Sequence, residues 1–475
     1  MAAPVDRHVV VVGGGISGLA AAHALGVTEP RGTRVRVTVL EGSPRVGGKL
    51  RVSDVGGLPV DEGAESLLLR RPEATALATE VGLGADLVPA TSTTASIWSR
   101  GGLHPMPAGT VMGVPTDLRA LAASGLLTPL ELARVPVDVW LPRPVVGEDV
   151  PVGRLVAGRM GRAVVDRLVD PLLGGVYAGH ADLLSLESTL PALAAQLRRE
   201  PSLLAAARAA RSGDGSGALG PAAAGPVFGA IRGGVGRLPA AVAAASGAEV
   251  RTDATVRELR RTPDGWELTV GSTRSPEQVR AHAVVLAVPG APAARLLRQE
   301  IPAAATDVAA ISYASMAVVT VVFRATRPLP AGSGYLVPPV DGKSVKAVTF
   351  TTGKWGWYAD EDAGLHVVRL SVGRLGEEAV LQRDDDELVE VAWTELTEAI
   401  GPLPAPVDSR VTRWGGALPQ YAVGHRSRVD RIRAAVAAVP GLAVCGAAYD
   451  GVGVPACVAS GRRAAAEVLG QWSHG

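Results

Sequence analysis

The stretch that decides the fold is HVVVVGGGISG, residues 8–18. It opens with a short β-branched run, which is typical of a buried parallel strand. A glycine turn follows, and the alanine-rich segment Leu19–Leu25 then has the composition of a helix. A second β-branched run, Val35–Leu40, ends at Glu41. This order predicts a strand–helix–strand unit within about 35 residues.

The glycines of the turn have the G-x-G-x-x-G spacing of a dinucleotide-binding site. Gly13 permits the tight turn, Gly15 lets the backbone approach a pyrophosphate, and Gly18 lets the helix pack closely on the strand. The helix N-terminus offers free N–H groups to phosphate, and a carboxylate ending the second strand can bind both ribose hydroxyls. The predicted contacts are Gly13, Gly14, Gly15, Ile16, Ser17, Gly18 and Glu41. A structural turn with a solvated Glu41 is the alternative.

The composition describes a folded globular protein and excludes several functions. Of the 475 residues, 47% are apolar and 20% are charged; the formal charge is +1, so nucleic acid is not an expected partner. Cys445 and Cys457 have no metal-ligand spacing and form no disulfide framework, which fits a reducing cytoplasm. We expect no metal. We expect no signal peptide, because the first apolar run, Val9 to Val12, leads directly into a glycine loop, and no spanning helix, because no uninterrupted apolar run of about 18 residues occurs.

The residues after the second strand decide between flavin and nicotinamide cofactors. Residues 41–49, EGSPRVGGK, resemble the E-x-x-x-R-x-G-G-[RK] extension of the flavin amine oxidase superfamily. Residues 61–66, DEGAES, resemble the segment that lies beside the flavin ring in that superfamily. Cationic side chains in the first segment can meet phosphate charge. The resemblance implies FAD as the cofactor, with contacts from Gly42, Arg45, Gly48, Lys49, Gly63, Ala64, Glu65 and Ser66.

Residues 444–457 resemble the C-terminal segment of the same superfamily, which closes over the flavin. A helix predicted to start at residues 452–454 would point its positive end at the electron-rich end of the ring and stabilise negative charge there. The resemblance implies further cofactor contacts at Gly446, Ala447, Val452, Gly453, Val454, Val256 and Trp414. An ordinary core role for Trp414 stays open. For both cysteines, packing is preferred over a covalent flavin link.

Three blocks resemble those of the protoporphyrinogen and coproporphyrinogen oxidases. They are DPLLGGVYAG at residues 170–179, the F-x-x-x-x-G-G-x-x-x-L-P pattern at 228–239, and ALPQYAVGH at 417–425. Amine oxidases and carotenoid desaturases lack these blocks, and the resemblance covers nearly the whole chain. It implies oxidation of a porphyrinogen.

One position bears on the choice of porphyrinogen. Thr94 stands four residues before Trp98, where the plant and animal protoporphyrinogen enzymes have an arginine. Together with the VGVPAC ending at residues 452–457, this looks more like the Gram-positive branch, whose members oxidise coproporphyrinogen III on a route to haem. Protoporphyrinogen IX is the alternative substrate.

A substrate with four propionates requires cations near its pocket. The candidates are Arg71, Arg70, Lys346 and Lys354. Arg71 is favoured because it follows the flavin-side segment, and surface charge is the alternative for each. Gly175 and Tyr177, in the 170–179 block, are further candidates for substrate contact.

The chemistry is expected to rest on the cofactor. The resemblance implies hydride transfer from a bridge carbon to the flavin, reoxidation by dioxygen with release of hydrogen peroxide, and three rounds that remove six electrons. No Ser/His/Asp set or obligatory general base is evident; His425 and Tyr449 are weaker candidates for proton transfer. The rival functions are an NAD-dependent dehydrogenase, supported only by the first strand–helix–strand unit, and a porphyrin-carrying flavoprotein without turnover.

We expect an α/β fold with a Rossmann-like FAD-binding domain, a mixed-sheet substrate domain and an inserted helical domain. The expected division assigns 1–85, 225–290 and 410–475 to FAD binding, 86–224 to helices and 291–409 to substrate. Long helices are predicted at Val152–Leu168 and Pro191–Ala210, and residues 211–226 have the composition of a mobile loop. For residues 135–151 a packed segment is preferred over contact with a membrane or a ferrochelatase. The expected location is therefore cytoplasmic, with at most peripheral membrane contact.

Overall fold

The computed structural model describes residues 5–28, 33–144, 147–212, 226–362 and 364–472. The loop predicted at 211–226 lies almost wholly outside these residues. Within them the strands are β1 (Val5–Val12), β2 (Thr33–Leu40), β3 (Val52–Val55), β4 (Leu58–Asp61), β5 (Leu67–Leu68), β6 (Leu87–Pro89), β7 (Ser96–Ser99), β8 (Gly102–Pro105), β9 (Thr110–Val111), β10 (Val114–Pro115), β11 (Phe228–Ile231), β12 (Glu249–Arg251), β13 (Val256–Thr262), β14 (Gly265–Ser272), β15 (Ser275–Ala281), β16 (Ala283–Leu286), β17 (Tyr313–Arg324), β18 (Gly334–Leu336), β19 (Val345–Phe350), β20 (Leu365–Val372), β21 (Pro406–Pro419) and β22 (Leu442–Val444).

The helices of the same ranges vary from single turns to a long C-terminal helix. They are α1 (Ile16–Val27), α2 (Pro72–Glu80), α3 (Leu118–Ala123), α4 (Pro129–Arg134), α5 (Val152–Met160), α6 (Arg162–Val164), α7 (Asp170–Tyr177), α8 (Leu186–Thr189), α9 (Pro191–Leu197), α10 (Leu203–Ser212), α11 (Leu238–Ala245), α12 (Gly290–Leu297), α13 (Pro302–Ala309), α14 (Thr351–Lys354), α15 (Tyr358–Asp362), α16 (Asp385–Ile400), α17 (His425–Ala437), α18 (Ala447–Asp450) and α19 (Val454–Gly470). None of the helices in the described ranges is long and apolar enough to cross a membrane.

A five-stranded parallel sheet, in the order β12-β2-β1-β16-β22, confirms the predicted Rossmann-like unit. Its central strand β1 is apolar on both faces because both faces are covered. Val9 and Val11 pack against α1 and α19, whereas Val10 and Val12 face β13–β15 and α12. The carboxyl ends of β1, β2, β16 and β22 therefore share one edge, where ligands bind in this class of sheet.

The two ends of the chain meet on one face of this sheet. A Cβ atom at Gly461 of α19 would lie 2.1 Å from the carbonyl oxygen of Ser17 in α1. Only a glycine allows so close an approach of the two helices. The contact brings the C-terminal region to the dinucleotide turn.

A seven-stranded mixed sheet, in the order β21-β17-β20-β19-β18-β7-β8, forms the second layer. Only the β18–β7 pair is parallel among its described pairings, and α16 packs with one face of the sheet. This confirms a mixed sheet. The domain division stays a prediction, and strand pairing crosses it twice: β7 and β8 come from the segment predicted to be helical, and β21 continues past residue 410.

The helices between α3 and α10 surround a separate apolar core. The predicted helix at 152–168 is interrupted at Gly161, whose φ of 98° ends α5, and a π-helical turn at Val165–Val169 then leads into α7. The predicted helix at 191–210 is likewise divided, because residues 198–202 separate α9 from α10. Alanine-rich composition alone therefore overestimated helix length.

Candidate cofactor and substrate site

The glycines of the dinucleotide turn have different structural reasons. At Gly13, with φ of 106°, a Cβ would lie 2.6 Å from the carbonyl oxygen of Ala287, and at Gly18 it would lie 2.0 Å from that of Gly13. Packing within the protein thus excludes side chains at both. At Gly15 nothing lies within 4 Å of the Cβ position. The space beside Gly15 is left open, as the predicted approach of a pyrophosphate requires.

Glu41 ends β2 with its carboxylate held in place. One oxygen accepts from the backbone N–H of Gly14 at 2.7 Å, and the other accepts from that of Ser43 at 2.8 Å. A carboxylate oxygen can accept more than one hydrogen bond, so both oxygens retain acceptor capacity for ribose hydroxyls. Gly42 packs against Thr255, with its Cβ position 3.1 Å from the hydroxyl, and Val256 follows Thr255 in the chain.

The segment after Glu41 folds back over the turn. Gly47 N–H donates to the Gly14 carbonyl at 2.7 Å, and the Cβ position of Gly48 has only the Gly15 Cα within 4 Å, at 3.5 Å. The guanidinium of Arg45 donates to the Gly48 carbonyl at 3.2 Å. Lys49 is half-buried, and burial lowers its pKa. Its ammonium has no hydrogen bond or ion pair with any described residue. A partly buried cation without a protein partner is suited to bind an anionic ligand.

The C-terminal segment adjoins the same turn. Gly446 N–H donates to the Ser460 hydroxyl at 2.9 Å. The Cβ position of Gly446 lies 3.9 Å from the hydroxyl of Ser17. Gly453 is exposed and precedes α19, so the predicted helix starts at Val454. Val452 packs against the core of the helical region.

The two thiols are free and buried within the described structure. Burial raises the pKa of both Cys445 and Cys457. Neither thiolate is therefore available at neutral pH. This agrees with the packing role.

Residues 61–66 lie against Lys49 and Trp414. A Cβ at Gly63 would lie 1.9 Å from the Lys49 carbonyl oxygen and 3.5 Å from the Trp414 ring, whose Nε1 donates to the Glu62 carbonyl at 2.9 Å. Ala64 is exposed and Ser66 half-buried, so this segment presents surface beside the turn. Trp414 is thus a packing partner of the predicted flavin-side segment.

Glu65 is buried between two cations. It accepts from Lys354 Nζ at 2.7 Å and from Arg369 Nη1 at 2.6 Å. Burial alone would raise the pKa of Glu65, but the two cations lower it to about 2. Glu65 is therefore ionised throughout the physiological range.

Three of the four predicted substrate cations have separate partners within the protein. Lys346 is 3% exposed and donates to the Gly373 carbonyl at 2.5 Å, and burial lowers its pKa to about 7. Lys354 is paired with Glu65, and Arg71 with Glu73 at 2.6 Å. Arg70 is half-buried in the same segment as Arg71. Their roles stay predictions.

The blocks at 170–179 and 417–425 contact each other. Gln420 Nε2 donates to the Tyr177 carbonyl at 2.7 Å, and the rings of Tyr177 and Tyr421 lie 5.4 Å apart. The Tyr421 hydroxyl donates to the Ala447 carbonyl, and His425 stacks on Tyr421 at 4.3 Å. These contacts join the helical region to the segment predicted to cover the flavin.

The two candidate proton carriers are buried. The Tyr449 hydroxyl has no hydrogen-bond partner in the described structure, and both ring nitrogens of His425 are enclosed. Burial lowers the pKa of His425 to about 4, so its ring is neutral at pH 7. Burial also raises the pKa of Tyr177 to about 12. A role in proton transfer stays a prediction for His425 and Tyr449.

One face of the mixed sheet carries the half-exposed side chains of Ala347, Thr349 and Ser371, although their strands are central. Register places Leu336 beside Ala347, Ala347 beside Ser371, and Thr349 beside Arg369. Arg369 reaches Glu65, so this face looks toward the flavin-side segment. The exposed Gly175 packs against this face, its Cβ position 3.4 Å from Leu336. This face of the sheet is the candidate substrate surface.

The comparisons with known proteins agree with this arrangement. The family model described as flavin containing amine oxidoreductase matches residues 16–469. The chain belongs to this family. The coproporphyrinogen III oxidase of Mycobacterium tuberculosis H37Rv is 40% identical over 98% of the chain and 97% of its own length. That of Bacillus subtilis is 31% identical over 98% of both, and the bovine protoporphyrinogen oxidase 28% over 98% of both.

Solved structures show the same fold. An Exiguobacterium protein, 31% identical, matches with a TM-score of 0.84 over 98% of each chain. Cyclohexylamine oxidase from Brevibacterium oxydans, at 17% identity and a TM-score of 0.69, covers 98% of this chain and 99% of its own. The second likeness shows the fold alone.

The cofactor is FAD, as the family is flavin-containing, and the described residues fit it. The open position beside Gly15, the unpaired ammonium of Lys49 and the fixed carboxylate of Glu41 belong to the dinucleotide turn and the segment that folds back over it. These features match a pyrophosphate and a ribose in charge and in space. The individual contacts remain predictions.

Sequence reasoning did not identify three residues that organise the site. Gln420 and Tyr421 lay inside a quoted block but received no role. Arg369 was missed altogether, although a charged residue within the apolar run HVVRLSV, residues 366–372, was a usable signal. A buried charge in a central strand requires a partner, and that partner is distant in sequence.

Proposed function

We propose that this protein is an FAD-dependent oxidase that converts coproporphyrinogen III to coproporphyrin III in haem biosynthesis. The observation that carries the proposal is the contact of the 170–179 and 417–425 blocks with each other and with Ala447. Both blocks resemble porphyrinogen oxidases, and they meet beside Ala447, a predicted cofactor contact. Full-length similarity to proteins named coproporphyrinogen III oxidase supports the substrate.

The overall reaction consumes three molecules of dioxygen and releases three of hydrogen peroxide for each porphyrin formed. Six hydrogens leave the macrocycle, in three two-electron steps. FAD supplies the two-electron chemistry when bound. The half-exposed side chains of the sheet face the substrate, and Lys49 and Glu41 hold the cofactor. The chain's own contribution is binding, orientation and exclusion of water.

The propionates of the substrate would be bound by cations at the edge of this substrate surface. We propose Arg71 as the first cation, because it is half-exposed and follows the flavin-side segment, with Arg70 beside it. Its ion pair with Glu73 lies near the surface, where exchange for a propionate costs little. Lys346 is too buried to act without rearrangement.

The deciding experiment supplies coproporphyrinogen III and protoporphyrinogen IX separately to the purified yellow protein. We expect coproporphyrin fluorescence to appear faster, with one peroxide per two electrons. Faster oxidation of protoporphyrinogen IX would reverse the choice of substrate. If anaerobic coproporphyrinogen III left the flavin oxidised, a carrier without turnover would replace the enzyme.

We further propose a cytoplasmic location with peripheral membrane contact through the 130–140 surface, defined by Leu130, Val139 and Trp140. These side chains are 84%, 56% and 83% exposed. The surface is held rigidly, because buried Asp138 accepts from Arg159 Nε at 2.5 Å and from the Leu204 amide at 2.7 Å. Exposed Trp and Leu on a fixed support suit a bilayer interface.

Co-sedimentation with phosphatidylglycerol vesicles tests this contact. The pair Leu130→Ser and Trp140→Ser should reduce sedimentation, and Val407→Ser, at a site 54% exposed elsewhere, should not. If the wild-type protein did not sediment with vesicles but bound a ferrochelatase through this surface, the surface would be a protein-binding site and not a membrane contact.

A further inference from the structure

Arg369 occupies an unusual position for a charged residue. It lies in β20, between β17 and β19, where it pairs with Thr320 and Thr349. Its side chain is 8% exposed. The neighbours Val368 and Leu370 point into the apolar core on the opposite face. Arg369 therefore points from the mixed sheet toward the FAD-binding region.

Two contacts join Arg369 to the predicted flavin-side segment. Nη1 donates to Glu65 at 2.6 Å, and Nη2 donates to the carbonyl of Gly63. Lys354 holds the other oxygen of Glu65 at 2.7 Å. The Arg369 guanidinium thus fixes the backbone of Gly63 and the side chain of Glu65 at the same time.

The other two carboxylates near this cluster, those of Glu62 and Asp61, also have neighbouring partners. Glu62 is paired with Arg51 at 3.2 Å and Arg410 at 3.5 Å. Asp61 accepts from the amides of Val235 and Gly236, and burial raises its pKa to about 6. With Asp61 ionised at pH 7, the cations still outnumber the carboxylates by one, so the cluster carries one positive charge; the cations are Arg51, Arg410, Arg369 and Lys354, and the carboxylates are Asp61, Glu62 and Glu65. Buried charges interact strongly with a nearby redox group because screening is weak.

We propose that Arg369 is a positioning residue for the flavin ring, and that the Arg369–Lys354 pair raises the reduction potential of the bound flavin. The proposal rests on the proposed placement of the ring beside residues 63–66. Fixing Gly63 fixes the backbone against which the ring lies. A net positive charge beside the ring favours the reduced, more negative cofactor.

The test compares Arg369→Met, Arg369→Lys and Lys354→Met with wild type. Arg260→Met is the control, because it removes an Arg–Glu pair on the exposed β13–β14 surface. The readouts are FAD affinity on reconstitution of the apo-protein and the two-electron potential by spectroelectrochemistry. We expect Arg369→Met to weaken FAD binding about tenfold and to lower the potential. Arg369→Lys should recover much of the potential, and Lys354→Met should lower the potential alone.

An unchanged potential in both Arg369→Met and Lys354→Met overturns the proposal. If Arg369→Met does not fold, an unchanged potential in Lys354→Met has the same meaning. Loss of FAD in Arg260→Met as well would show a general effect of losing an ion pair, and would also overturn it. Neither readout requires a porphyrinogen, so failure of coproporphyrinogen oxidation would leave this result interpretable.

Discussion

At the scale of single residues, the glycines of the turn separate folding from ligand binding. Gly18 has a carbonyl 2.0 Å from its Cβ position, whereas Gly15 has no atom within 4 Å. A side chain at Gly18 must displace backbone, but one at Gly15 enters only the space assigned to the pyrophosphate. The two positions therefore allow a sharp comparison.

Gly15→Val should fold normally and lose FAD. The thermal unfolding temperature of the apo-protein should match wild type, while the flavin absorbance of the purified protein should fall at least about tenfold. Gly158→Val is the control, because it too has nothing within 4 Å but lies in α5 of the helical region. Full flavin content in Gly15→Val would refute the placement of the phosphate.

Glu65→Gln should destabilise the protein in a pH-dependent way. The folded pKa of Glu65, about 2, is below its ordinary value of 4.5, so its ionised form stabilises the fold. The contribution is about 3 kcal/mol at pH 7 and is lost as pH falls from about 4.5 toward 2. Urea titrations of both proteins at pH 7, 5 and 3.5 measure it. A pH-independent difference between the two proteins would contradict this account.

At the scale of elements, the local patterns predicted the strands well and the tertiary pairings poorly. The β-branched runs correspond to β1, β2, β17 and β20, because a run of consecutive apolar residues indicates a buried strand. The parallel pairing of β7 with β18 joins residues that are about 240 positions apart, and nothing local marks it. For the same reason the Arg369–Glu65 pair could not be predicted.

The end of α7 illustrates a contact between elements that carries a testable consequence. Gln420, just beyond β21, donates to the Tyr177 carbonyl, and its Oε1 lies 2.1 Å from the Cβ position of Gly179. Gln420→Leu should loosen the turn that carries Gly175. We expect kcat/KM for the porphyrinogen to fall about tenfold, with FAD content unchanged. The exposed Gln278→Leu is the control, and an equal loss of FAD in Gln420→Leu would show a purely structural role.

At the scale of the whole molecule, the sequence predicted that both ends of the chain bind one cofactor, because each end has a recognisable motif of its own. The glycine turn predicted a phosphate site and residues 444–457 resembled a flavin-covering segment, so one cofactor required both in one place. The structure brings them together through α1 and α19. The predicted substrate cations lacked such a signal, since isolated arginines and lysines carry no pattern that separates a pocket from a surface.

The contact between α1 and α19 gives the last prediction. Gly461→Val would place its side chain against the Ser17 carbonyl, 2.1 Å from the Cβ position, and force the C-terminal helix away from the dinucleotide turn. Because FAD is expected to touch both ends, the variant should bind it far more weakly than its loss of apo-protein stability alone explains. Bound FAD at about 100 times its Kd should stabilise wild type by about 2.7 kcal/mol, and this increment should largely disappear in Gly461→Val. Thermal unfolding with and without FAD measures the increment. Gly470→Val, in the last turn of the same helix and with no atom within 4 Å of the added Cβ position, should retain it. An undiminished increment in Gly461→Val would mean that the cofactor is held by the N-terminal region alone.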